Sequence, residues 1–399
     1  MDVEKVRDDF PLLKKRRIVY MDSACTSLKP QKVINAVDAY YSVYSGCAGR
    51  SAHDIAIETE RKMEEAREKT SRFIGGKKEE IVFTRNATEG INLIAKTIDF
   101  SRRSKVVLTN MEHHSALLPF LNLSLQKKIQ TDFLIADDEG LVNDLEKWKE
   151  KIDSKTALVV VHHTTNTTGT TAPLKEIAKI AHDAGAMVLV DGAQGVPHYE
   201  VSVSSLGVDF LAFSGHKMLG PTGIGVLFAK QFILETLPPF LLGGETVEEV
   251  KLDSFKLQKP PHRFEAGIQH YSGIIGLGAA VDYLQRIGMK KIEEHEKELA
   301  RELIETVSVI EGITLYGPTD FKKKCAILAF NVKKLPSQEV AVMLNRLGGI
   351  ATRAGFFCAQ PAMEHLGAKH GALRASLYLY NTKEEIEKLG EALGKIAGL

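Results

Sequence analysis

The chain has 399 residues, 44% of them hydrophobic, with 52 Lys plus Arg against 51 Asp plus Glu and a formal charge of 52 − 51 = +1. That is material for a sizeable core and about two to four domains, and the near balance of charge excludes both a basic nucleic-acid binder and an acidic disordered chain. Cys25, Cys47, Cys325 and Cys358 are too few for a disulfide scaffold and too widely spaced for a zinc knuckle, and no apolar run approaches the ~18–20 residues of a membrane span.

Residues 1–17 alternate acids and bases around Phe10, Leu12 and Leu13. They lack the unbroken apolar run of a signal peptide, so a cytoplasmic enzyme is expected. Residues 81–84 read as a short strand, followed by a helical pattern over 86–98 with Ile91, Ile94, Ala95 and Ile98 on one face. Further strands are predicted over 105–109, 157–162, 186–190 and 210–213, each bounded by polar residues or glycine. The clearest helix between them opens at Pro173, buries Leu174, Ile177, Ala178 and Ala181, and stops near Gly185. This alternation predicts an α/β fold with a largely parallel sheet. The last hundred residues differ. A charged amphipathic helix covers about 289–309, with Ile292, Leu299, Leu303 and Ile310 inward and Glu293 placed to pair with Lys297. A strand over 326–331 and helices over 337–347 and 383–396 complete a smaller α+β unit. The expected division is a large unit of residues 18–285 and a small one of 1–17 plus 286–399.

Ligands of an open parallel sheet sit outside the carboxyl ends of its strands. The residues there are Asn86-Ala87-Thr88-Glu89, Glu112-His113-His114, the stretch from His162 to Asn166, Asp191-Gly-Ala-Gln194 and Ser214-Gly-His216-Lys217. Singly, each has an ordinary reading: an Asp after a strand caps a turn, and a Lys is a solvated charge. Together they bring an acid, an amine, an imidazole and an amide to one edge. A lysine among apolar strands and near other cations has a lowered pKa, which suits Schiff-base formation with an aldehyde. A carboxylate on a neighbouring strand suits a protonated ring nitrogen. The helix opening at Asn86 offers free N–H groups to a phosphate, and Ser214 and His216 add donors. Pyridoxal 5′-phosphate answers all of these requirements. His162 and His163 side by side raise a metal site, but neighbours on a strand face opposite ways, so no metal is expected.

Phe83-Thr-Arg-Asn-Ala-Thr-Glu-Gly-Ile-Asn-Leu93, Glu112-His-His-Ser115, Val190-Asp-Gly-Ala-Gln194, Phe213-Ser-Gly-His-Lys217 and Arg263-Phe-Glu-Ala-Gly267 resemble the signature blocks of class V, fold-type-I pyridoxal-phosphate enzymes. Arg353-Ala-Gly-Phe-Phe-Cys358-Ala-Gln-Pro361 and Arg374-Ala-Ser-Leu-Tyr-Leu-Tyr-Asn-Thr382 are similar to the group II cysteine desulfurases of the SUF type. The resemblance implies a seven-stranded-type sheet and a Schiff base on Lys217. It implies that Asp191 pairs with the pyridine nitrogen, Gln194 with the phenolic oxygen, and that His113 stacks on the ring. It places Ala87, Thr88, Ser214 and His216 at the phosphate, and Arg374, Asn166, Arg353 and His53, with Arg50, around the substrate. Cys358 matches the cysteine that accepts sulfur from L-cysteine, with alanine as the other product. A homodimer and a sulfur-acceptor protein, for iron–sulfur cluster or other cofactor assembly, are implied as partners. Selenocysteine lyase activity and class V aminotransfer are the rival reactions, and a weakly active sulfur-transfer scaffold is the rival of another class, against which an intact Lys217 argues.

Three positions depart from the family pattern. Phe356 and Phe357 stand where a histidine usually precedes the cysteine, and apolar neighbours should raise a thiol pKa. Ile268 replaces a threonine that meets phosphate from the other subunit. Cys25 replaces an alanine; free cysteines are commonly just small buried residues.

Overall fold

The computed structural model describes residues 1–399. Its centre is a seven-stranded sheet of β1 (Ile81–Thr84), β2 (Lys105–Thr109), β3 (Gln130–Leu134), β4 (Thr156–His162), β5 (Met187–Asp191), β6 (Phe210–Ser214) and β7 (Gly225–Ala229). The spatial order is β1-β7-β6-β5-β4-β2-β3. β7 runs antiparallel to both β1 and β6, and every other pair is parallel. All strands but β7 therefore direct their carboxyl ends to one edge. Val159, Val161, Val188 and Val190 enter the core on one face of the sheet, while Leu158, Val160 and Leu189 enter the core on the other. That period-two split, with both faces covered, is why these strands read as unbroken apolar runs.

Two strands of this sheet escaped the sequence reading. β3 is an edge strand, Gln-Thr-Asp-Phe-Leu, with only Leu134 buried, so it offers no apolar run. β7 is buried throughout but follows the glycine-rich stretch 220–225, which reads as loop. Gly225 is there for contact: a Cβ on it would come within 2.5 Å of the Asn86 Cα. Only glycine lets β7 start against the loop that carries the first candidate phosphate contacts.

The helix signals hold. Leu174–Asp183 follows Pro173 and ends at Gly185, whose φ of +75° needs no Cβ. The next N–H, of Ala186, returns to the Ala181 carbonyl at 2.8 Å and closes the last turn.

The C-terminal part is a four-stranded antiparallel sheet in the order β8-β9-β11-β10, built from β8 (Ile313–Tyr316), β9 (Ile327–Val332), β10 (Arg353–Gly355) and β11 (Ala372–Ser376). Helices Met289–Ser308, Ser337–Gly348 and Lys383–Ala397 share its core through Leu299, Leu303, Leu344 and Leu389. The N-terminal arm crosses between the two cores. Phe10 packs edge-on against Tyr283 and Tyr380, with ring centroids 6.0 and 4.9 Å away, and joins the large core. Val19 and Met21, on the large unit's side of the expected division, pack instead in the C-terminal core, because the short strand Val19–Tyr20 pairs with Ile350–Ala351.

Candidate active site

The carboxyl ends of β1, β2, β4, β5 and β6 open on one cavity of about 210 Å³. Lys217 ends the 3₁₀ turn Gly215–Lys217 directly after β6. That turn is pinned from behind. The His216 carbonyl accepts from the Ser27 N–H at 2.9 Å, Lys29 Nζ at 2.9 Å, Ser27 Oγ at 3.0 Å and Thr26 Oγ1 at 3.1 Å. Burial lowers the pKa of the Lys217 amine; the Asp191 carboxylate opposes this and the Arg374 guanidinium adds to it.

Asp191 ends β5 and is 6% exposed. Its Oδ1 accepts the Ala193 N–H at 2.9 Å. Burial raises its carboxyl, and the Lys217 charge pulls the other way. Gln194 donates to the Ala24 carbonyl at 2.7 Å and lies 3.3 Å from the His198 ring. His113 caps helix His114–Leu125: its Nδ1 accepts the Ser115 N–H at 3.0 Å, which puts the ring proton on Nε2. Burial, then the charges of Lys217, His114 and Arg374, push its pKa down to about 3, so the ring is neutral at pH 7. At β1, Asn86 caps helix Ala87–Thr97 by accepting the Glu89 N–H at 3.0 Å. Ala87 N–H donates to Ser214 Oγ at 2.9 Å, and Thr88 Oγ1 lies 2.7 Å from Ser115 Oγ. A helix N-terminus ringed by hydroxyls suits a phosphate. A desolvated amine, a buried acid on the adjacent strand, a neutral flat imidazole and this N-terminus are the donor set that pyridoxal phosphate requires.

The far wall comes from the second sheet. Arg374, on β11, is 2% exposed. Its Nη1 donates to the Asn166 carbonyl at 2.9 Å and its Nη2 to Asp22 Oδ1 at 3.1 Å, while its buried Nε has no partner. Burial lowers its pKa and Asp22 resists. Arg353 on β10 is its register partner and lines the same cavity. Like charges directly opposite repel, so this mouth fits an anionic group such as a carboxylate. Cys358 also lines the cavity and is exposed. Phe357 and Cys358 sit at φ of +55° and +56°, a strained region for residues with a Cβ. The loop is held by Asn166 Nδ2 on the Phe357 carbonyl at 2.7 Å and His114 N–H on the Cys358 carbonyl at 2.7 Å. Phe357 does not blanket the thiol. Its ring lies under Arg374, 4.9 Å from the guanidinium carbon, in a small cluster with Ala329 and Met363.

The cavity thus unites every expected site residue except His53 and Arg50. Asn166 holds the cysteine loop with its side chain and Arg374 with its carbonyl. His53 caps helix Asp54–Phe73, its Nδ1 accepting the Ala56 N–H at 3.3 Å, and lies outside the cavity. Arg50 pairs with Glu245 at 3.1 Å on a second cavity shared with Gln269 and Tyr271. Ile268 is 68% exposed. Glu265 of the 263–267 block takes both Arg67 Nη atoms, at 2.7 and 2.9 Å, and the Phe83 N–H at 2.7 Å, anchoring β1.

Sequence reasoning missed Asp22 and Lys29, and it named Glu112 and His162 without pairing them; in the structure they form a buried pair 2.8 Å apart. His162 is the register neighbour of Asp191; its place as the last residue of an apolar strand was the available signal. Lys29 and Asp22, in the N-terminal segment, carry no motif. Cys25 lines the cavity, whereas Cys325 is buried beside Ala24 and Ile327.

A mostly parallel seven-stranded sheet, with an amine and an acid at adjacent strand ends and a second antiparallel sheet closing the cavity, defines a fold-type-I pyridoxal-phosphate enzyme. The aminotransferase class-V family model matches residues 19–389, and the chain belongs to that family. A relative from Methanothermobacter thermautotrophicus, named "Probable cysteine desulfurase", is 43% identical over 402 residues, covering 100% of this chain and 99% of its own. A relative from Haloferax volcanii, named "Cysteine desulfurase", is 37% identical, covering 98% of this chain and 96% of its own. Among solved structures, the apo cysteine desulfurase from Thermococcus onnurineus NA1 superposes with a TM-score of 0.95 at 41% identity, over 99% of this chain and 98% of that one. No helix is long and apolar enough to cross a membrane.

Proposed function

We propose that this protein is a group II cysteine desulfurase that converts L-cysteine to L-alanine and leaves the sulfur as a persulfide on Cys358. The observation that carries the reading is one cavity lined by a desolvated lysine, a buried arginine with a free Nε and an accessible thiol. The full-length similarity to proteins named cysteine desulfurase supports it.

Bound at the strand ends, pyridoxal 5′-phosphate would supply the electron sink that acidifies the substrate α-carbon. Lys217 would hold its aldehyde carbon covalently, Asp191 its ring nitrogen, Gln194 its phenolic oxygen and His113 the face of its ring. Ala87 N–H, Thr88, Ser214 and His216 would hold its phosphate. Arg374, with Arg353 opposite, takes the substrate carboxylate in the planar pairing that suits a guanidinium. Lys217 would then move the α-proton, a task suited to an amine whose pKa burial lowers. Cys358 attacks as the thiolate: a bond forms between its Sγ and the substrate sulfur, the substrate's carbon–sulfur bond breaks, and the carbon takes a proton to leave as alanine. The persulfide's outer sulfur then passes to an acceptor, either a small sulfur carrier or a cluster scaffold in the cytoplasm. A second copy of the chain is the proposed partner for the Arg50–His53 segment.

Purified holoenzyme with L-cysteine and a thiol reductant should release alanine and sulfide in equal amounts. Cys358→Ser should keep the cofactor's visible absorption and lose alanine formation; an unchanged rate in that variant would rule out the persulfide route.

A further inference from the structure

Cys25 lines the same cavity yet has no part in the reaction above. It belongs to the tight turn after the Val19–Tyr20 strand, where its N–H donates to the Asp22 carbonyl at 3.0 Å. The Asp22 carboxylate takes Arg374 Nη2 at 3.1 Å. The Phe357 ring lies against the same guanidinium at 4.9 Å, and Phe357 immediately precedes Cys358. The backbones that carry the two thiols are thus both tied to one arginine, that of Cys25 through Asp22 and that of Cys358 through Phe357. Both also lie close enough to Lys217 for their charges to act on its amine. Arg374 lines the same cavity, and its Nε, buried and without a partner, leaves a donor for a ligand there. When a carboxylate product leaves, both cysteines line the vacated cavity. The left-handed backbone at Phe357 and Cys358 gives the loop a strained conformation from which movement is cheap once its anchoring hydrogen bonds release.

We propose that Cys25 is a resolving thiol for the Cys358 persulfide, acting when no acceptor takes the sulfur. The inference rests on the desulfurase reading. The Cys25 thiolate attacks Cys358 Sγ, a Cys25–Cys358 bond forms, and the bond from Cys358 Sγ to the terminal sulfur breaks. The electron pair leaves with that sulfur as hydrosulfide, which takes up the proton the Cys25 thiol gave up. Cys25 is oxidised and the terminal sulfur is reduced, so no outside oxidant is needed. The disulfide closes the site until a thiol reductant opens it. An enzyme without an acceptor thereby stops after one turnover instead of releasing sulfide continuously.

The test uses anaerobic holoenzyme, one equivalent of L-cysteine and no reductant, followed by alkylation and non-reducing peptide mass spectrometry. Wild type should give alanine, free sulfide and a cross-linked peptide pair containing Cys25 and Cys358. Cys25→Ser should keep the persulfide on Cys358 and release about tenfold less sulfide. Alanine formation with a stable persulfide and no cross-link in wild type overturns the proposal while leaving the desulfurase reading standing; absence of alanine overturns that reading itself. Diamide, a diazene oxidant, should link the same pair in the resting enzyme whatever reaction the site performs, and failure to link them defeats the resolving role independently.

Discussion

The strand ends of the central sheet and the loop that carries Cys358 share one cavity but are held in different ways. At the strand ends, register and caps place each group. Asp191 and His162 are partners across β5 and β4, His113 and Asn86 cap the helices they precede, and the backbone before Lys217 accepts from four donors. The loop has no regular structure around the thiol. It keeps a strained backbone through hydrogen bonds from Asn166 and His114, residues of other segments. The cofactor half is preorganised, as electrostatic and proton-transfer roles require. The sulfur half is strained and held from outside, which suits the proposed role of a thiol that would meet substrate inside the cavity and an acceptor outside it.

The largest effect should come from the rigid half. Lys217→Ala removes the proposed anchor of the cofactor and the proposed proton carrier together. Alanine production from cysteine should fall by at least about 10²–10⁴-fold, with loss of the cofactor's visible band in the purified protein. Retention of that band would break the assignment of Lys217 as anchor. Arg374→Lys comes next, at the seam between the halves. A lysine keeps the charge but not the planar fork, and it cannot reach the Asn166 carbonyl, Asp22 and a substrate carboxylate together. KM for L-cysteine should rise about 10–100-fold, roughly 1.4–2.8 kcal/mol of binding, with a smaller change in kcat. Equal losses in kcat and kcat/KM would move Arg374 out of the substrate-binding role.

The same contrast explains what could be read from the sequence. Strands buried on both faces announce themselves as apolar runs, and their carboxyl ends point to the site residues, so Lys217, Asp191, His113 and the Asn86–Thr88 cap were legible. The edge strand β3 was not, because exposure removes its apolar signal. Arg374, Arg353 and Cys358 carry no pattern in charge or periodicity; resemblance to a family picked them out, and only the fold shows Arg353 facing Arg374 across β10 and β11. The placement of Cys25 in the cavity was beyond the sequence as well. It depends on a two-residue strand, Val19–Tyr20, pairing with residues more than three hundred positions away.

A narrower perturbation tests the loop's tether. Asn166→Ala leaves the Phe357 carbonyl without its 2.7 Å partner, a loss of about 1–3 kcal/mol for a buried acceptor. Amide exchange over residues 353–360 should accelerate and desulfuration should slow by about tenfold, while the cofactor spectrum stays as in wild type. Equal loosening of the β5 and β6 ends would erase the distinction between the two halves.

The smallest effect concerns the neutral imidazoles of the rigid half. Burial pulls His163 down to about 4, with the charges of His162 and His198 adding to it, and burial followed by the charges of Lys217 and Lys29 pulls His216 to about 4. In the unfolded chain both would titrate near 6.5. Between those values the unfolded state binds more protons than the folded one, so stability rises with pH there and falls as pH drops from about 6.5 toward 4. His163 lies off the reacting groups, stacked on Tyr199 at 5.7 Å and 2.9 Å from Thr164 Oγ1. A His163→Gln substitution keeps an amide for that threonine and removes one titrating group. Melting temperatures between pH 7.5 and 5 should therefore decline less steeply in the variant, by about 2 °C across the range. Parallel pH profiles would mean that His163 is free to protonate in the folded state, and that the strand-end half yields to acid as readily as the loop.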